Sequence, residues 1–99
     1  MLYIINKSHT DNLALSKCLQ TASATDVVLL IEHAVYAALE LSQSPLTAMA
    51  GSAVTVYALS PDMQARGVQQ AACLDFIQYV DYAGFVELVA ANQPIRSCF

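Results

Sequence analysis

The sequence predicts an α/β fold built on a parallel sheet of four to five strands flanked by helices. Short apolar runs alternate along the chain with segments of helical periodicity, which is the pattern of a parallel sheet. The run 27–31 is apolar at every position, as expected of a strand buried on both faces of such a sheet. A length of 99 residues corresponds to a single domain, 1–99.

Four apolar runs are predicted as strands because each is short and bounded by polar or turn-forming residues. They are 2–5, 27–31, 53–59 and 76–80. Residues 95–99 can add a short edge strand after Pro94. The stretch 42–52 is predicted as a loop because it carries Pro45 and Gly51.

The first helix is predicted to begin where Thr10 or Asp11 caps free backbone N–H groups. Its apolar stripe consists of four residues at helical spacing: Leu15, Cys18, Leu19 and Ala22. A short helix is predicted to start at 60–62 and to run through Gln64, with Gly67 suited to its end.

Two further helices are predicted on either side of the short one. The segment 34–41 is apolar nearly all round, so it must be covered on most sides, by another subunit or by the rest of this chain. Asp81 is predicted to cap a final helix over 82–91, which Pro94 ends.

The composition predicts assembly. Hydrophobic residues make up 57% of the chain and charged residues 12%, against about 25% charged in typical domains. A small domain has a limited interior, so some apolar surface is expected outside, and exposed apolar patches usually mark an interface.

Charge and targeting patterns exclude several functional classes. A net charge of −4 with four Lys and Arg residues gives no basic stripe, so direct nucleic-acid binding is not expected. The apolar stretch 27–41 carries three polar or charged residues and is shorter than a span of ~20 residues. No secretory signal pattern is present, and a cytoplasmic protein without membrane contact is expected.

The three cysteines match no zinc or redox spacing, and their odd number argues against a disulfide framework, so reduced thiols are expected. Cys18 lies at the border of its apolar stripe, which permits the partial exposure that a reactive thiol needs. Inert packing is the alternative, and it is favoured more strongly for Cys73. Cys98 is next to last and is expected to be mobile.

Polar residues that follow the predicted strands form a second group of site candidates. They include Ser8, His33, Asp62 and Asp81. Ligands of open parallel sheets bind beyond the carboxyl ends of the strands, although loops there are polar in any case. His33 is a candidate general base or thiolate partner, and a helix cap is its alternative role. No phosphate loop or metal-ligand spacing occurs, so neither cofactor nor metal is expected.

Four segments, taken in order, resemble the TusB/DsrH family. These are MLYIINKS at 1–8, VVLLIEHAVYAAL at 27–39, VYALSPDMQARG at 56–67 and VDYAGFVEL at 80–88. The third contains an Asp-x-x-x-Arg-Gly pattern formed by Asp62, Arg66 and Gly67, which adds Arg66 to the site candidates. The family usually has Asp-Gly where this chain has His33-Ala34, so a role carried over to that turn is not supported.

The resemblance implies a three-layer, flavodoxin-like sheet of the DsrE superfamily. It also implies a hetero-hexamer with DsrE/TusD-like and DsrF/TusC-like subunits, with a homo-oligomer as the alternative when the chain is expressed alone. Such complexes pass persulfide sulfur between small carrier proteins, toward 2-thiolation of the tRNA wobble uridine or toward sulfur oxidation. The main relay cysteine lies on the DsrE/TusD-like partner.

Cys18 matches a first-helix cysteine that DsrH-type members carry, which implies a secondary persulfide site at this position. Two alternatives stay open. One alternative is a purely structural subunit of the hexamer. The other is a small-ligand domain that uses the polar residues at the strand ends.

Overall fold

The computed structural model describes residues 1–10, 13–49 and 51–98, and five strands form in them. The strands are β1 (Leu2–Ile5), β2 (Val27–Leu30), β3 (Thr55–Leu59), β4 (Ile77–Val80) and β5 (Ile95–Cys98). Three α-helices are α1 (Ala14–Thr21), α2 (Ser60–Ala65) and α3 (Tyr82–Ala91). Four 3₁₀ segments span Glu32–Ala38, Glu40–Ser42, Pro45–Met49 and Gln70–Ala72.

All five strands are parallel and lie in the order β4-β3-β2-β1-β5. The first three connections step in one direction across the sheet, and the fourth steps back past β1. Because such crossovers are right-handed, the last connection passes on the opposite face from the others. The predicted three-layer α/β fold is therefore confirmed.

The strands place two apolar layers on the two faces of the sheet. On one face, Tyr3 and Ile5 of β1 join a large core with α1, α2 and the 3₁₀ segments Glu32–Ala38 and Pro45–Met49. On the other face, Leu2 and Ile4 pack with Leu29 against one side of α3. The alternation of side chains along a strand divides β1 between these two layers.

The segment 34–41, predicted as a helix, is instead a 3₁₀ segment over Glu32–Ala38 followed by an extended residue, Leu39. Leu39 forms an isolated antiparallel bridge with Cys73, and the Leu74 N–H donates to the Ala38 carbonyl at 2.9 Å. These contacts end the helical run before an α-helix extends to Leu41.

The apolar surface of this segment is covered by the chain itself. Ala34, Val35, Ala37 and Ala38 are all buried in the larger core. Of the two alternatives that the sequence left open, the intramolecular one is therefore correct for these residues. Leu41 is the exception, at 94% exposure.

The start of α1 does not follow the Thr10 alternative of its prediction. The helix begins at Ala14, after Leu13, and Leu13 makes no side-chain cap. Thr10 lies before it and does not cap it. Its N–H instead donates to the Ser8 hydroxyl at 3.3 Å. Asp11, the other predicted cap, lies outside the described residues.

The predicted ends of the other helices agree better with the structure. The Asp81 carboxylate accepts from the Gly84 N–H at 2.8 Å, so the predicted cap of α3 is confirmed. Helix α2 ends at Ala65, one residue beyond its predicted end, and Gly67 adopts φ +68°, which favours glycine. The predicted loop 42–52 contains the 3₁₀ segment Pro45–Met49.

Helix α3 exposes more apolar surface than the other helices described. None of its residues is fully buried, and Tyr82 and Val86 are 61% and 67% exposed on its outer side. Glu87 is its one charged residue. Part of the predicted exposed apolar surface therefore lies here. No helix in the described ranges is long and apolar enough to cross a membrane.

A disulfide joins Cys18 of α1 to Cys98 at the end of β5. This corrects the expectation that all three thiols are reduced and that Cys98 is mobile. The pairing of β5 with β1 holds Cys98 opposite Ile5, on the face that α1 covers. Cys73 is the free cysteine among the described residues.

Reduction of this disulfide is expected to lower the free energy of unfolding by about 2–4 kcal/mol, because it closes a loop across a sequence separation of 80 residues. Urea unfolding with and without reductant measures the difference. Cys73→Ser is the matched control and should keep the reductant effect, whereas Cys98→Ser should abolish it. Equal unfolding midpoints for the wild-type protein in both conditions would contradict the prediction.

Candidate functional site

A cavity of about 400 Å³ lies between α1 and β5, and both cysteines of the disulfide line it. Its walls come from one side of α1 and from the last three described residues of β5. The lining residues are Leu13, Ala14, Lys17, Cys18, Thr21, Arg96, Ser97 and Cys98.

The strand and the helix position the two sulfurs by their regular geometry. Residues two apart on a strand share a face, so Arg96 and Cys98 lie on the same side of β5. They pair with Tyr3 and Ile5, which belong to the core layer under α1. Cys18 enters the same layer from the helix.

The cavity is cationic in an acidic protein. The chain has four Lys and Arg residues and a net charge of −4, yet Lys17 and Arg96 both line this cavity, and none of the described residues that line it is acidic. Neither forms a salt bridge with another described residue. Such a cavity attracts small anions and stabilises thiolates.

The two sulfurs differ in access. Cys18 is 5% exposed, so the partial exposure that its border position permitted is absent while the disulfide is closed. Cys98 is half-buried, on an edge strand whose other residues are exposed. Of the two residues, Cys98 is therefore the more exposed to a nucleophile in the cavity.

Cys73 has the surroundings of a packing residue. It is buried in the larger core, and its thiol donates to the Gln69 carbonyl at 3.4 Å. Burial raises the pKa of the Cys73 thiol, and the nearby Tyr79 hydroxyl opposes this. Burial and the adjacent Cys73 raise the pKa of Tyr79 to about 12. Inert packing, the interpretation favoured for Cys73, agrees with this environment.

The strand-end residues do not join the sulfur pair. The Asp62 carboxylate accepts from the Glu32 N–H at 2.7 Å and lies 3.8 Å from the Arg66 guanidinium. Glu32 has φ +51°, a left-handed conformation that costs a non-glycine residue energy. Asp62 thus ties the β2 and β3 ends together and holds a strained turn.

The remaining strand-end candidates have local surroundings. The Ser8 hydroxyl shares a hydrogen bond of 2.9 Å with the Thr10 hydroxyl, and Asp81 caps α3. His33 is exposed and stacks on Tyr36 with ring centroids 6.4 Å apart. None of these residues lines the cavity between α1 and β5.

Two buried polar atoms near the end of β1 lack hydrogen-bond partners among the described residues, the Asn6 Oδ1 and the His9 Nδ1. His33 and the Asp62 group follow β2 and β3, whereas β5 lies on the opposite side of β1. His33, the predicted base, therefore follows β2, whereas Cys18, the predicted thiol, is bonded to Cys98 of β5 on the other side of β1. Within the described ranges, no three His, Cys, Asp or Glu residues could hold a metal ion.

A family model described as "DsrH like protein" matches residues 7–95. The chain belongs to the DsrH-like family. The resemblance on which the sequence analysis relied is thereby confirmed.

Two solved structures share the fold of this DsrH-like chain. Protein Tm0979 from Thermotoga maritima, solved by NMR, is 26% identical, with a TM-score of 0.66 over 94% of this chain and 95% of its own. The crystal structure of the ychN protein from E. coli is 15% identical, with a TM-score of 0.71 over 97% of each chain. No curated protein sequence matches the chain significantly.

Sequence reasoning missed Arg96 and Cys98 as site residues of this DsrH-like chain. Their spacing of two, in a predicted edge strand, was a signal that they share a face. That signal could not reveal which face meets α1, because this depends on the position of β5 beside β1.

Asp62→Ala is expected to lower the free energy of unfolding by about 1–2 kcal/mol, because the strained Glu32 turn loses its charged acceptor. Urea unfolding measures this loss. Asp62→Asn keeps an oxygen acceptor and should cost less than half as much. Equal losses in the two variants would show that the hydrogen bond is not the cause.

In the reduced protein, Cys73 is expected to be alkylated far more slowly than Cys98. Its raised pKa leaves less thiolate at any given pH, so labelling should stay slow as the pH rises through the ordinary value of 9.0. Trypsin cleavage after Lys17, Arg66 and Arg96 places the three cysteines on separate peptides for mass spectrometry. In urea, where the protein is unfolded, Cys73 and Cys98 should be alkylated at equal rates. Equal alkylation rates in the native protein would contradict the prediction.

Proposed function

We propose that this DsrH-like chain is a subunit of a sulfur-relay assembly, in which reduced Cys18 accepts sulfane sulfur from a carrier persulfide. The observation that carries the proposal is the position of Cys18 in a cationic cavity, within a chain of this family. The Cys18 thiolate attacks the outer sulfur of the donor persulfide, and the donor cysteine leaves as a thiolate. The sulfane sulfur then resides on Cys18 as a persulfide.

The cavity supplies what this transfer requires. A thiolate is the nucleophile, and Lys17 and Arg96 favour thiolate and persulfide anions near the two sulfurs. The dipole of α1 contributes little, because Cys18 is the fifth residue of the helix and the effect fades within the first turn. For this role the Cys18–Cys98 disulfide must first be opened, because only the free thiolate attacks a persulfide.

The outer side of α3 supports assembly with other subunits. Tyr82 and Val86 present apolar surface to solvent, and surfaces of this kind usually become interfaces. The proposed partners are DsrE/TusD-like and DsrF/TusC-like subunits in a hetero-hexamer, together with small sulfur carriers. The carrier that accepts sulfur would determine whether it goes to tRNA 2-thiolation or to sulfur oxidation.

A purely structural subunit is the second candidate. The exposed side of α3 favours it, since this surface serves assembly whether or not Cys18 reacts. A ligand domain at the strand ends has weaker support, because Asp62 and Asp81 already hold a turn and a helix start.

The test uses reduced protein and glutathione persulfide as the sulfur donor. Peptide mass mapping is expected to find one additional sulfur on the peptide that starts at Cys18 in Cys98→Ser protein. Cys18→Ser should gain none at residue 18, and Cys73→Ser, the matched control, should behave as the wild-type protein does.

Assembly is measured on the same variants by co-purification with co-expressed DsrE-like and DsrF-like subunits. The relay proposal expects Cys18→Ser to assemble normally and to fail in transfer to the partner subunits. Normal transfer by assemblies that contain Cys18→Ser would contradict the relay and would support the structural candidate.

A further inference from the structure

We propose that Cys98 is a second persulfide site, at which hydrosulfide enters by opening the Cys18–Cys98 disulfide. The proposal stands on the disulfide, on the cavity that borders it, and on the two cations of that cavity. Its second step, transfer from Cys98 to Cys18, rests on the proposed function.

The ligand is a small anion because of the charges at the cavity. Arg96 shares a face with Cys98 two residues before it, and Lys17 lines the wall formed by α1. Among the described residues, none that lines the cavity is acidic, and neither cation forms a salt bridge. Both side chains are exposed and can move toward an incoming anion.

Hydrosulfide is the small anion whose reaction with the disulfide gives the species that the proposed relay uses. Disulfides are opened by sulfur nucleophiles, and most of these leave a mixed disulfide on the protein. Hydrosulfide instead leaves a persulfide, which is the species that the proposed relay passes on.

The difference in access directs the attack to Cys98. Residue Cys98 is half-buried, whereas Cys18 of α1 is buried. Hydrosulfide forms a new S–S bond with the Cys98 sulfur, and the old S–S bond breaks with its electron pair on Cys18. The incoming sulfur is thereby oxidised to the sulfane level, and the Cys18 sulfur is reduced to a thiolate.

The second step needs no further reactant. The Cys18 thiolate attacks the outer sulfur of the Cys98 persulfide, and Cys98 leaves as a thiolate. Two sulfurs that were bonded to each other are already placed for this exchange. The sulfane sulfur ends on Cys18, where the relay begins.

The test treats disulfide-closed full-length protein with sodium hydrosulfide and quenches by alkylation at successive times. Trypsin separates residue 18, residue 73 and residue 98 onto different peptides. An additional sulfur is expected on the Cys98 peptide first and on the Cys18 peptide later. No additional sulfur on Cys98, or an earlier appearance on Cys18, would overturn the proposal.

The role of charge is tested with Lys17→Gln and Arg96→Gln. Each is expected to slow opening by hydrosulfide roughly threefold, and added salt should slow the wild-type reaction. A neutral phosphine, which opens the same disulfide without carrying charge, should react with all variants at the wild-type rate. Equal slowing with both reagents would show altered access and would overturn the anion site.

A further experiment distinguishes a failure of the entry site at Cys98 from a failure of the proposed relay through Cys18. Reduced Cys98→Ser protein receives glutathione persulfide, which tests sulfur acceptance by Cys18 alone. Acceptance there, with no sulfur on Cys98 in the closed wild-type protein, overturns the entry site and leaves the relay intact. Sulfur that stays on Cys98, with no acceptance by Cys18, supports the entry site and overturns the relay through Cys18.

Discussion

The parallel pairing of β5 with β1 is the interaction on which the candidate site depends. Its register sets Cys98 opposite Ile5 and Arg96 opposite Tyr3, on the face that α1 covers. A slip of one residue would turn both side chains to the α3 face, because side chains alternate along a strand. The disulfide, the β5 wall of the cavity and the position of Arg96 all follow from this one register.

The two faces of the sheet are covered in different ways. The face under α1 and α2 carries the larger core, and the apolar 3₁₀ segment Glu32–Ala38 is buried within it. The opposite face is covered by α3, whose own outer side remains apolar and exposed. Chemistry and assembly can therefore occupy opposite sides of a domain of 99 residues, so that a partner on α3 leaves the cavity open.

The three cysteines illustrate how position determines reactivity. Cys73 lies in the core with a raised pKa and a backbone acceptor, which are the surroundings of an inert thiol. Cys18 and Cys98 lie at a cationic cavity, where thiolates are favoured. The same disulfide that should stabilise the fold also shields Cys18, which links the redox state of the chain to its proposed capacity to accept sulfur.

The sequence by itself determined the α/β class, all five strands, the cap at Asp81 and the family, because these depend on local patterns of apolar residues and turns. It did not determine the partner of Cys18, since Cys98 lies 80 residues away and meets it only once β5 pairs with β1. It also predicted a helix over 34–41, where a bridge between Leu39 and Cys73 holds the chain extended. Contacts between residues distant in sequence decided these points, and local propensity carries no information about them.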